Sequence, residues 1–272
     1  MTTPRKDHWT SSAYNSAAGF VPKLTTTVVS YLNPQPSDKI LDIGCGDGEL
    51  TYQIAQKTTS GKVSGVDASK SFIETARERY PSIPFILHDA TELQSCPEVV
   101  TGEWDKVFSN AAMHWILRKE STREKFFENV HSALKPGGSF VFEMGGHGNV
   151  AEVLTASIAA LTHAGVPLQQ AREASPWFFS STVWMENMLK EAGFEVEKVE
   201  TEYRPSKLKE GVDGCESWVR LMCADFLEAV EEKKRDGAVK EICDLIETSI
   251  LREEDGSRWM GYLRLRGVAR KK

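Results

Sequence analysis

The sequence contains no run of about 18 apolar residues, the length that a membrane-spanning helix needs, so no membrane segment is predicted. Residues 1–20, MTTPRKDHWTSSAYNSAAGF, lack the apolar core of a secretion signal, which predicts a cytoplasmic protein. None of the five cysteines forms a C-x-x-C pair, and the six histidines show no metal-ligand spacing. We therefore expect reduced thiols, no bound metal and no membrane partner.

Positive charge is in deficit as well. The 33 lysines and arginines stand against 39 acidic residues, and the formal net charge is −6. An acidic chain is not attracted to phosphate backbones, so no nucleic-acid partner is predicted. The basic end RLRGVARKK is more typical of a solvated tail than of a binding patch. The remaining composition is ordinary for a globular protein, 40% hydrophobic over 272 residues, which suffices for a sizeable core.

Short apolar runs alternate with amphipathic ones over the first half of the chain. This alternation predicts a parallel sheet covered by helices on both faces, a doubly wound α/β fold with ligands at the carboxyl ends of the strands. The helix SKSFIETARERY carries a predicted capping box at Ser71 and Glu74, and KPGG is predicted to stop a later helix. The predicted strands are KILDIG, GKVSGVDAS, IPFILHDATEL, WDKVFSNAAMHWI and SFVFEMGG.

The pattern changes after Gly148. Helices are predicted over 150–164 and 180–192 and in a charge-rich block over 216–250. Two strands, near 194–204 and 260–270, are expected to extend the sheet. We interpret residues 1–272 as a single domain with a core over 30–148 and a lid from 1–20, 150–178 and 214–250, with a separate second domain as the alternative.

Three glycines stand between the first strand and its helix, in DIGCGDG. A sharp strand-to-helix turn without side chains offers backbone amides to a ligand. Gly44, Gly46 and Gly48 follow the spacing G-x-G-x-G, whereas the dinucleotide fingerprint would place its third glycine where Glu49 stands. Asp42, just before the loop, is a poor neighbour for a pyrophosphate and a good one for an ammonium group. We therefore expect a ligand less anionic than NAD.

Acidic residues end the next two predicted strands. Asp67, 25 residues after Asp42, stands where a carboxylate can bind both ribose hydroxyls. Asp89, with Ala90, could bind the amino group and ring edge of an adenine. Any one of these acids is equally well a solvated loop carboxylate. Their positions at the ends of successive strands favour a single ligand site.

Residues 30–145, approximately, resemble the class I S-adenosylmethionine-dependent methyltransferases. The motifs that carry this resemblance are the glycine loop DIGCGDG, VD at 66–67, HDA at 88–90 and KPGGSFVFE. Three further segments are similar to parts of the trans-aconitate and juvenile-hormone-acid methyltransferases. They are WTSSAYNSAAGF, VFSNAAMHWI and RWMGYLRLRGVARK. The resemblance implies a seven-stranded, mostly parallel Rossmann-like sheet with a helical lid. It also implies S-adenosyl-L-methionine as the cofactor.

The resemblance implies a role for each matching residue. Gly44 and Gly46 would lie near the methionine part of the cofactor, and Asp42 near its amino group. Asp67 would bind the ribose, Asp89 the adenine, and Asn110 would face the methionyl end. Tyr14 and Trp9 would close over the ligand. The full implied cofactor site is Tyr14, Asp42, Gly44, Cys45, Gly46, Asp67, Ala68, Asp89, Ala90, Asn110 and Ala111.

Methyl transfer by in-line displacement needs alignment of two atoms and exclusion of water more than it needs acid–base groups. Aromatic faces also suit a positive sulfonium. The candidate substrate residues are Trp9, His114, Trp115, Trp177 and Trp259, although Trp115 and Trp177 could equally pack in the core. His114 is the candidate catalytic residue, as a base, as a hydrogen-bond donor to an acceptor carboxylate, or as a lining residue without proton transfer.

A carboxylate is ionised at neutral pH and needs no base, so the absence of a base motif agrees with the resemblance. Both favour O-methylation of a small acid, with Arg172, Arg220, Arg258 and Arg264 as candidate cationic partners. The alternatives are methylation of a nitrogen, sulfur or hydroxyl, binding of the cofactor without methyl transfer, and a nicotinamide-dependent oxidoreductase. The sequence leaves the acceptor and the oligomeric state open.

Overall fold

Strands and helices alternate along the computed structural model, which describes residues 25–272 apart from the side chains of Val212 and Asp213. The first half begins with a helix whose buried residues pack on the sheet, and five strands follow. Its elements are α1 (Thr26–Leu32), β1 (Lys39–Ile43), α2 (Glu49–Ala55), β2 (Lys62–Asp67), α3 (Lys70–Arg79), β3 (Phe85–Leu87), β4 (Trp104–Asn110), α4 (Met113–Ile116), α5 (Arg123–Ala133) and β5 (Leu134–Gly145).

The second half is mainly helical, and it returns twice to the sheet. Its elements are α6 (Ala151–His163), α7 (Leu168–Glu173), α8 (Thr182–Glu191), β6 (Phe194–Tyr203), β7 (Ser206–Lys207), α9 (Val212–Met222), α10 (Ala224–Glu228), α11 (Arg235–Ile250), β8 (Trp259–Met260) and β9 (Leu263–Lys271). None of the helices in residues 25–272 combines the length and the apolar character needed to cross a membrane.

The main sheet has seven strands in the order β3-β2-β1-β4-β5-β9-β6. The first five are parallel, and β9 runs antiparallel between β5 and β6. This confirms the predicted seven-stranded, mostly parallel α/β fold. The two late strands lie at 194–203 and 263–271 and extend the sheet at one edge, and Trp259 and Met260 belong instead to a short separate pair with β7.

The structure corrects the predicted boundaries around the fourth strand. Strand β4 ends at Asn110, and residues 113–116 form a short helix instead of continuing the strand. Ala111 adopts a left-handed backbone (φ 55°) and donates its N–H to the carbonyl of Glu143 at 2.8 Å, so the chain leaves the sheet there. The KPGG sequence does end α5, but its residues lie inside β5.

The predicted capping box at Ser71 and Glu74 is also wrong. Helix α3 is capped two residues earlier by Ser69, whose Oγ accepts a hydrogen bond from the Phe72 N–H at 3.3 Å. Ser69 has the extended backbone of a capping residue, whereas Ser71 is already inside the helix.

The core is divided between the two faces of the sheet and a separate helical layer. One face packs on α1 and α2 through residues such as Phe108 and Val141, and the other packs on α5 and α8 through Phe140 and Phe142. We call α6, α7, α9, α10 and α11 the helical cap; its buried residues form a cluster of their own, which includes Trp218. The predicted lid segments 150–178 and 214–250 cover these helices apart from the first two residues of α9, and the predicted segment 1–20 lies outside the described residues.

A buried ionic network joins β5, β9 and the end of β6. Glu143 is 3% exposed and accepts hydrogen bonds from Arg204 Nη2 at 2.8 Å and Arg266 Nε at 3.1 Å. Arg266 also pairs with Glu202 and Glu200 of the edge strand. Removing one partner from such a buried network leaves an uncompensated charge, which destabilises the folded protein.

We expect Glu143→Gln to lower the free energy of unfolding by about 3 kcal/mol, because it leaves two guanidinium groups around an uncharged amide. Denaturant unfolding monitored by circular dichroism measures the change. The matched control is Glu103→Gln, which removes the exposed ion pair with Lys39 and should cost less than about 1 kcal/mol. Similar losses in both variants would contradict a stabilising role for the buried network.

Candidate active site

The carboxyl ends of β1, β2 and β4 meet at one edge of the sheet and bring the predicted ligand residues together. The loop at 44–48 follows β1, Asp67 ends β2 and Asn110 ends β4. The Gly46 N–H donates to Asp67 Oδ2 at 2.9 Å, and Asp67 Oδ1 accepts from the Ser69 N–H at 2.8 Å. The loop and the acid therefore form one unit before any ligand arrives.

The three loop glycines serve different purposes. Gly44 and Gly48 have φ values of 78° and 81°, and a Cβ at either position would collide with protein atoms, at 2.1 Å from Ala112 Cβ and 2.7 Å from Phe85 Cζ respectively. Gly46 has a φ of 56°, and an added Cβ there would meet nothing within 4 Å. The sequence predicts that a ligand approaches all three. Packing accounts for the absence of a side chain at Gly44 and Gly48, and of the three only Gly46 faces open space.

Asp42 is buried beneath this loop and accepts a hydrogen bond from Thr51 Oγ1 at 2.7 Å. Burial raises the pKa of its carboxyl to about 7; the Thr51 hydrogen bond opposes this shift and the negative charge of Asp67 adds to it. Burial also raises the pKa of the neighbouring Cys45 thiol, and the negative charges of Asp67 and Asp42 add to this shift. The charge of Asp42 near neutral pH therefore depends on whether a cation lies close to it.

Asn110 provides a direct indication of a ligand. Its Oδ1 is buried and has no hydrogen-bond partner among the residues that the structure describes. Buried acceptors are nearly always paired, so an orphan at a strand end favours a missing donor. Together with the open space at Gly46, this acceptor fits S-adenosylmethionine, whose methionine part carries an ammonium donor.

The remaining predicted cofactor residues lie around the same edge. Asp89 follows β3 and is exposed, and its Oδ1 accepts the Thr91 N–H at 2.8 Å, while Ala90 is buried behind it. Ala68 is exposed between Asp67 and Ser69. Tyr14 and Trp9 lie outside the described residues.

A pocket with a cavity volume of about 40 Å³ opens beside Ala111, between the carboxyl ends of the strands and the helical cap. It brings together three of the predicted substrate residues, His114, Trp115 and Trp177. The rings of Trp115 and Trp177 lie 5.7 Å apart edge to face, and that of Phe179 stacks on Trp177 at 5.6 Å. The full lining is Ala111, His114, Trp115, Asn149, Val150, Trp177, Phe179, Trp218, Met222, Tyr262 and Arg264.

His114 is held in its neutral form. Its Nδ1 accepts the Gly145 N–H at 3.4 Å, which assigns the ring proton to Nε2. Burial, reinforced by the charge of Arg264, lowers its pKa to about 3. A group with such a low pKa is a weak base at neutral pH, so the structure favours the hydrogen-bond donor role over the general-base role considered from the sequence.

Of the four candidate arginines, only Arg264 lines the pocket. It is 4% exposed, and its guanidinium carbon lies 4.6 Å from the centroid of the Tyr262 ring. Arg258 is bound by Glu247, with Nε donating to Oε2 at 2.8 Å, and Arg220 pairs with acidic residues at the surface. Arg172 is exposed on α7. Among residues 25–272, the last strand therefore contributes the one buried cation that lines the pocket.

Trp259, which the sequence predicts to contact substrate, is not among the residues that line this pocket. Its indole N–H donates to Ser257 Oγ at 2.7 Å, and the guanidinium of Arg252 lies 4.0 Å from its ring centroid. These local contacts hold the ring at the β7–β8 pair instead of at the pocket.

Sequence reasoning missed Asn149, Val150, Trp218, Met222 and Tyr262 as lining residues. Two signals were available. Trp218 and Met222 are four apart and so share a helix face, and Tyr262 precedes Arg264 by two positions, the spacing that places side chains on the same face of a strand. Neither signal says which face borders a pocket.

The comparisons with known proteins agree with this geometry. The family model described as a methyltransferase domain matches residues 40–138. The uncharacterized methyltransferase C70.08c of Schizosaccharomyces pombe is 36% identical over 273 residues, covering 98% of this chain and 99% of that protein.

Two further relatives are more distant. Trans-aconitate 2-methyltransferase of Paracidovorax citrulli is 30% identical over 105 residues, which is 39% of this chain and 38% of that protein. The structure of Haemonchus contortus phosphoethanolamine N-methyltransferase 2, solved with phosphomonomethylethanolamine and S-adenosylhomocysteine, superposes with a TM-score of 0.57 at 21% identity. That superposition covers 96% of this chain and 57% of the other, and it supports the fold alone.

We expect Gly46→Ala to weaken binding of S-adenosylhomocysteine by at least about tenfold, or about 1.4 kcal/mol, because the new methyl group enters the open space at the loop. Isothermal titration calorimetry measures the affinity. Gly137→Ala is the matched control. Gly137 also has a positive φ, 76°, and open space around its Cβ position, but it lies in the exposed start of β5.

Both alanine variants should lose a similar stability, about 1 kcal/mol from the left-handed backbone. Only Gly46→Ala should lose affinity. Unchanged binding in Gly46→Ala would mean that no ligand occupies this space.

The raised pKa of Asp42 predicts a pH dependence of stability in the protein without ligand. Because its folded-state pKa of about 7 exceeds the ordinary 3.8, the folded protein binds this proton more tightly than the unfolded chain. This tighter proton binding by Asp42 stabilises the folded protein fully below about pH 4, and the stabilisation is lost as the pH rises through about 7.

Asp42→Asn should therefore show a smaller fall in melting temperature than the wild type between about pH 5 and about pH 8. Differential scanning calorimetry at the two pH values measures this. Asp244→Asn, at an exposed position of α11, should follow the wild type. Parallel falls for Asp42→Asn and the wild type would contradict the raised pKa.

Proposed function

Because this chain belongs to the class I S-adenosylmethionine-dependent methyltransferases, we propose that it methylates a carboxylate oxygen of a small acid. S-adenosyl-L-methionine is the cofactor of this family, and the chain is a methyltransferase. The observation that carries the choice of a carboxylate is the buried guanidinium of Arg264 in the pocket beside Ala111.

The edge formed by β1, β2 and β4 would hold the cofactor. Asn110 Oδ1 and Asp42 would face the ammonium group of its methionine part, with Gly46 beside them. Asp67 would accept hydrogen bonds from the ribose hydroxyls. Asp89 and Ala90, after the neighbouring strand, would lie at the adenine. The unpaired acceptor of Asn110 and the open space at Gly46 support this assignment.

When bound, S-adenosylmethionine supplies a methyl group on a positively charged sulfur: the acceptor oxygen forms a bond to that carbon, the carbon–sulfur bond breaks, and its electron pair stays on sulfur. No proton is transferred if the acceptor is already a carboxylate. The low pKa of His114 agrees with this, because the pocket then needs no base. Its Nε2–H would orient the acceptor.

Arg264 would bind and orient the acceptor carboxylate. A guanidinium matches a carboxylate with two parallel hydrogen bonds, and such charge-assisted bonds strengthen where water is excluded. The aromatic walls provide that exclusion. A carboxylic acid is also the substrate in the name of one relative, trans-aconitate 2-methyltransferase, which supports the same acceptor group.

We expect Arg264→Gln to lower kcat/KM for an acid acceptor by about 10- to 100-fold, the loss expected for hydrogen bonds to a charged group. The measurement is methyl ester formation from a panel of small acids, followed by mass spectrometry. Arg258→Gln is the control, because Arg258 is bound by Glu247 away from the pocket.

Cofactor affinity should be unchanged in Arg264→Gln, which calorimetry with S-adenosylhomocysteine checks. Methylation of amines, thiols or hydroxyls with no ester from any acid would refute the proposed acceptor group. Equal ester formation by Arg264→Gln and the wild type would refute the role of Arg264.

A further inference from the structure

The loop between β5 and α6, residues 146–150, borders the pocket, and we call it the β5 loop. Backbone hydrogen bonds fasten it to the segment that leads into the last strand. The Gly146 N–H donates to the carbonyl of Leu263 at 3.0 Å, and the Val150 N–H donates to the carbonyl of Gly261 at 3.0 Å. The position of the β5 loop is therefore set by residues near the other end of the chain.

Val150, the last residue of the β5 loop, has a strained backbone. Its φ and ψ are 43° and 42°, in the left-handed region that a β-branched residue rarely adopts. Such a conformation persists only where the surrounding structure fixes it, and these residues cluster at ligand sites. Val150 and the preceding residue, Asn149, both line the pocket. The strain is therefore maintained at the place where the loop borders the pocket.

The side-chain amide of Asn149 has a fixed orientation. Asn149 is 3% exposed, and its Oδ1 accepts a hydrogen bond from the Leu263 N–H at 2.9 Å. Because only the oxygen of an amide accepts such a bond, the NH₂ group occupies the other position. This contact removes the usual ambiguity between amide oxygen and nitrogen. Asn149 therefore presents N–H donors on the side away from Leu263.

The NH₂ group of Asn149 lies beside Gly145. A Cβ on Gly145 would lie 2.8 Å from Asn149 Nδ2 and 2.5 Å from Cε1 of Phe179, another lining residue, so the glycine leaves room for both side chains. The Gly145 N–H donates to His114 Nδ1 at 3.4 Å, which leaves the ring proton on Nε2. Two lining side chains whose acceptor atoms are bound by backbone N–H groups thus adjoin one glycine.

This arrangement restricts the groups that the pocket can bind. The amide of Asn149 is uncharged, and burial, reinforced by the charge of Arg264, lowers the pKa of His114 to about 3 and keeps its ring neutral. A ligand atom with lone pairs accepts hydrogen bonds from both N–H groups. A ligand group that turns its own N–H or O–H towards them leaves donors facing donors, and desolvated donors without partners cost binding energy.

We propose that Asn149 is a specificity-determining residue, whose Nδ2–H donates a hydrogen bond to an oxygen of the acceptor. Together with the Nε2–H of His114, it selects an acceptor group that presents lone pairs and no hydrogen. This inference rests on the proposed carboxylate methylation and adds a neutral donor to the groups that would orient the acceptor. The hydrogen bond holds the oxygens in place for in-line attack and transfers no proton.

The test removes the donor and keeps the contact that fixes the loop. Asn149→Asp has nearly the same shape, and one oxygen still accepts from the Leu263 N–H, but the other carries no hydrogen when ionised. Methyl transfer by the full chain is measured by mass spectrometry with S-adenosylmethionine and a panel of small acids, amines, thiols and alcohols. For the acceptor that the wild type methylates best, kcat/KM of Asn149→Asp should be at least about tenfold lower at about pH 8.

The pH profile separates this role from a structural one. The variant-to-wild-type ratio of kcat/KM should rise as the pH falls towards about 5, because protonation of the new carboxyl returns a donor to the same place. If the amide only held the loop, Asn149→Asp would behave as the wild type at every pH. Asn149→Leu removes the donor without adding charge, so its loss of kcat/KM should be the same at every pH.

Asn129→Asp is the matched control. Asn129 is buried on α5, its Nδ2 donates to Gln94 Oε1 at 2.7 Å, and it is not among the residues that line the pocket. This control should show a constant ratio of kcat/KM to the wild type over the same pH range. Calorimetry with S-adenosylhomocysteine should give the same affinity for Asn149→Asp as for the wild type, which separates acceptor binding from cofactor binding.

A loss smaller than tenfold in Asn149→Asp at about pH 8, or equal losses in Asn149→Asp and Asn129→Asp, would overturn the role of Asn149. Ester formation from acids in that case would leave the proposed function standing. The expected pH profile, measured on an acceptor that is not an acid, would refute carboxylate methylation and support the donor role of Asn149. A wild-type protein that methylates no member of the panel would overturn both.

Discussion

The parallel pairing of β1 with β2 on one side and with β4 on the other positions the groups proposed to hold the methionine part and the ribose of the cofactor. Parallel strands end at the same edge of a sheet, so the glycine loop, Asp67 and Asn110 are brought to one place although they are separated along the chain. The turn at Ala111 then directs the chain from this edge into the wall of the pocket. Asn110, proposed to face the cofactor, is thereby a neighbour in sequence of Ala111 and His114, which line the pocket.

The strand ends at β1, β2 and β4 and the neighbouring pocket contain side chains of opposite charge. The edge proposed to bind the cofactor contains Asp42 and Asp67, and burial of Asp42 makes its charge responsive to a nearby cation. The acceptor pocket contains the buried guanidinium of Arg264 and a histidine kept neutral. A positively charged methyl donor and a negatively charged acceptor would each meet the complementary sign, and Asn110 and Ala111 lie between the two parts. This arrangement suits a reaction in which charge is neutralised as the methyl group moves.

The pocket proposed to bind the acceptor depends on the second half of the chain. The helical cap supplies Trp218 and Met222, and the last strand supplies Arg264. The cap also has its own hydrophobic cluster, so its residues can change without disturbing the packing of the parallel sheet. The buried network around Glu143 anchors β9 between β5 and β6 and so fixes the strand from which Arg264 projects.

The sequence by itself determined the strand–helix order, the glycine loop and the acids at the strand ends, because these features depend on local periodicity and turn chemistry. It could not separate Gly46 from Gly44 and Gly48, or choose Arg264 from four arginines. Nor could it find the low pKa of His114 or place Trp259 away from the pocket. These features depend on side chains that are distant in the sequence and pack together in the fold. That packing leaves the open space at Gly46, and the resulting burial and nearby charges set the pKa values. Only the tertiary structure decides those contacts.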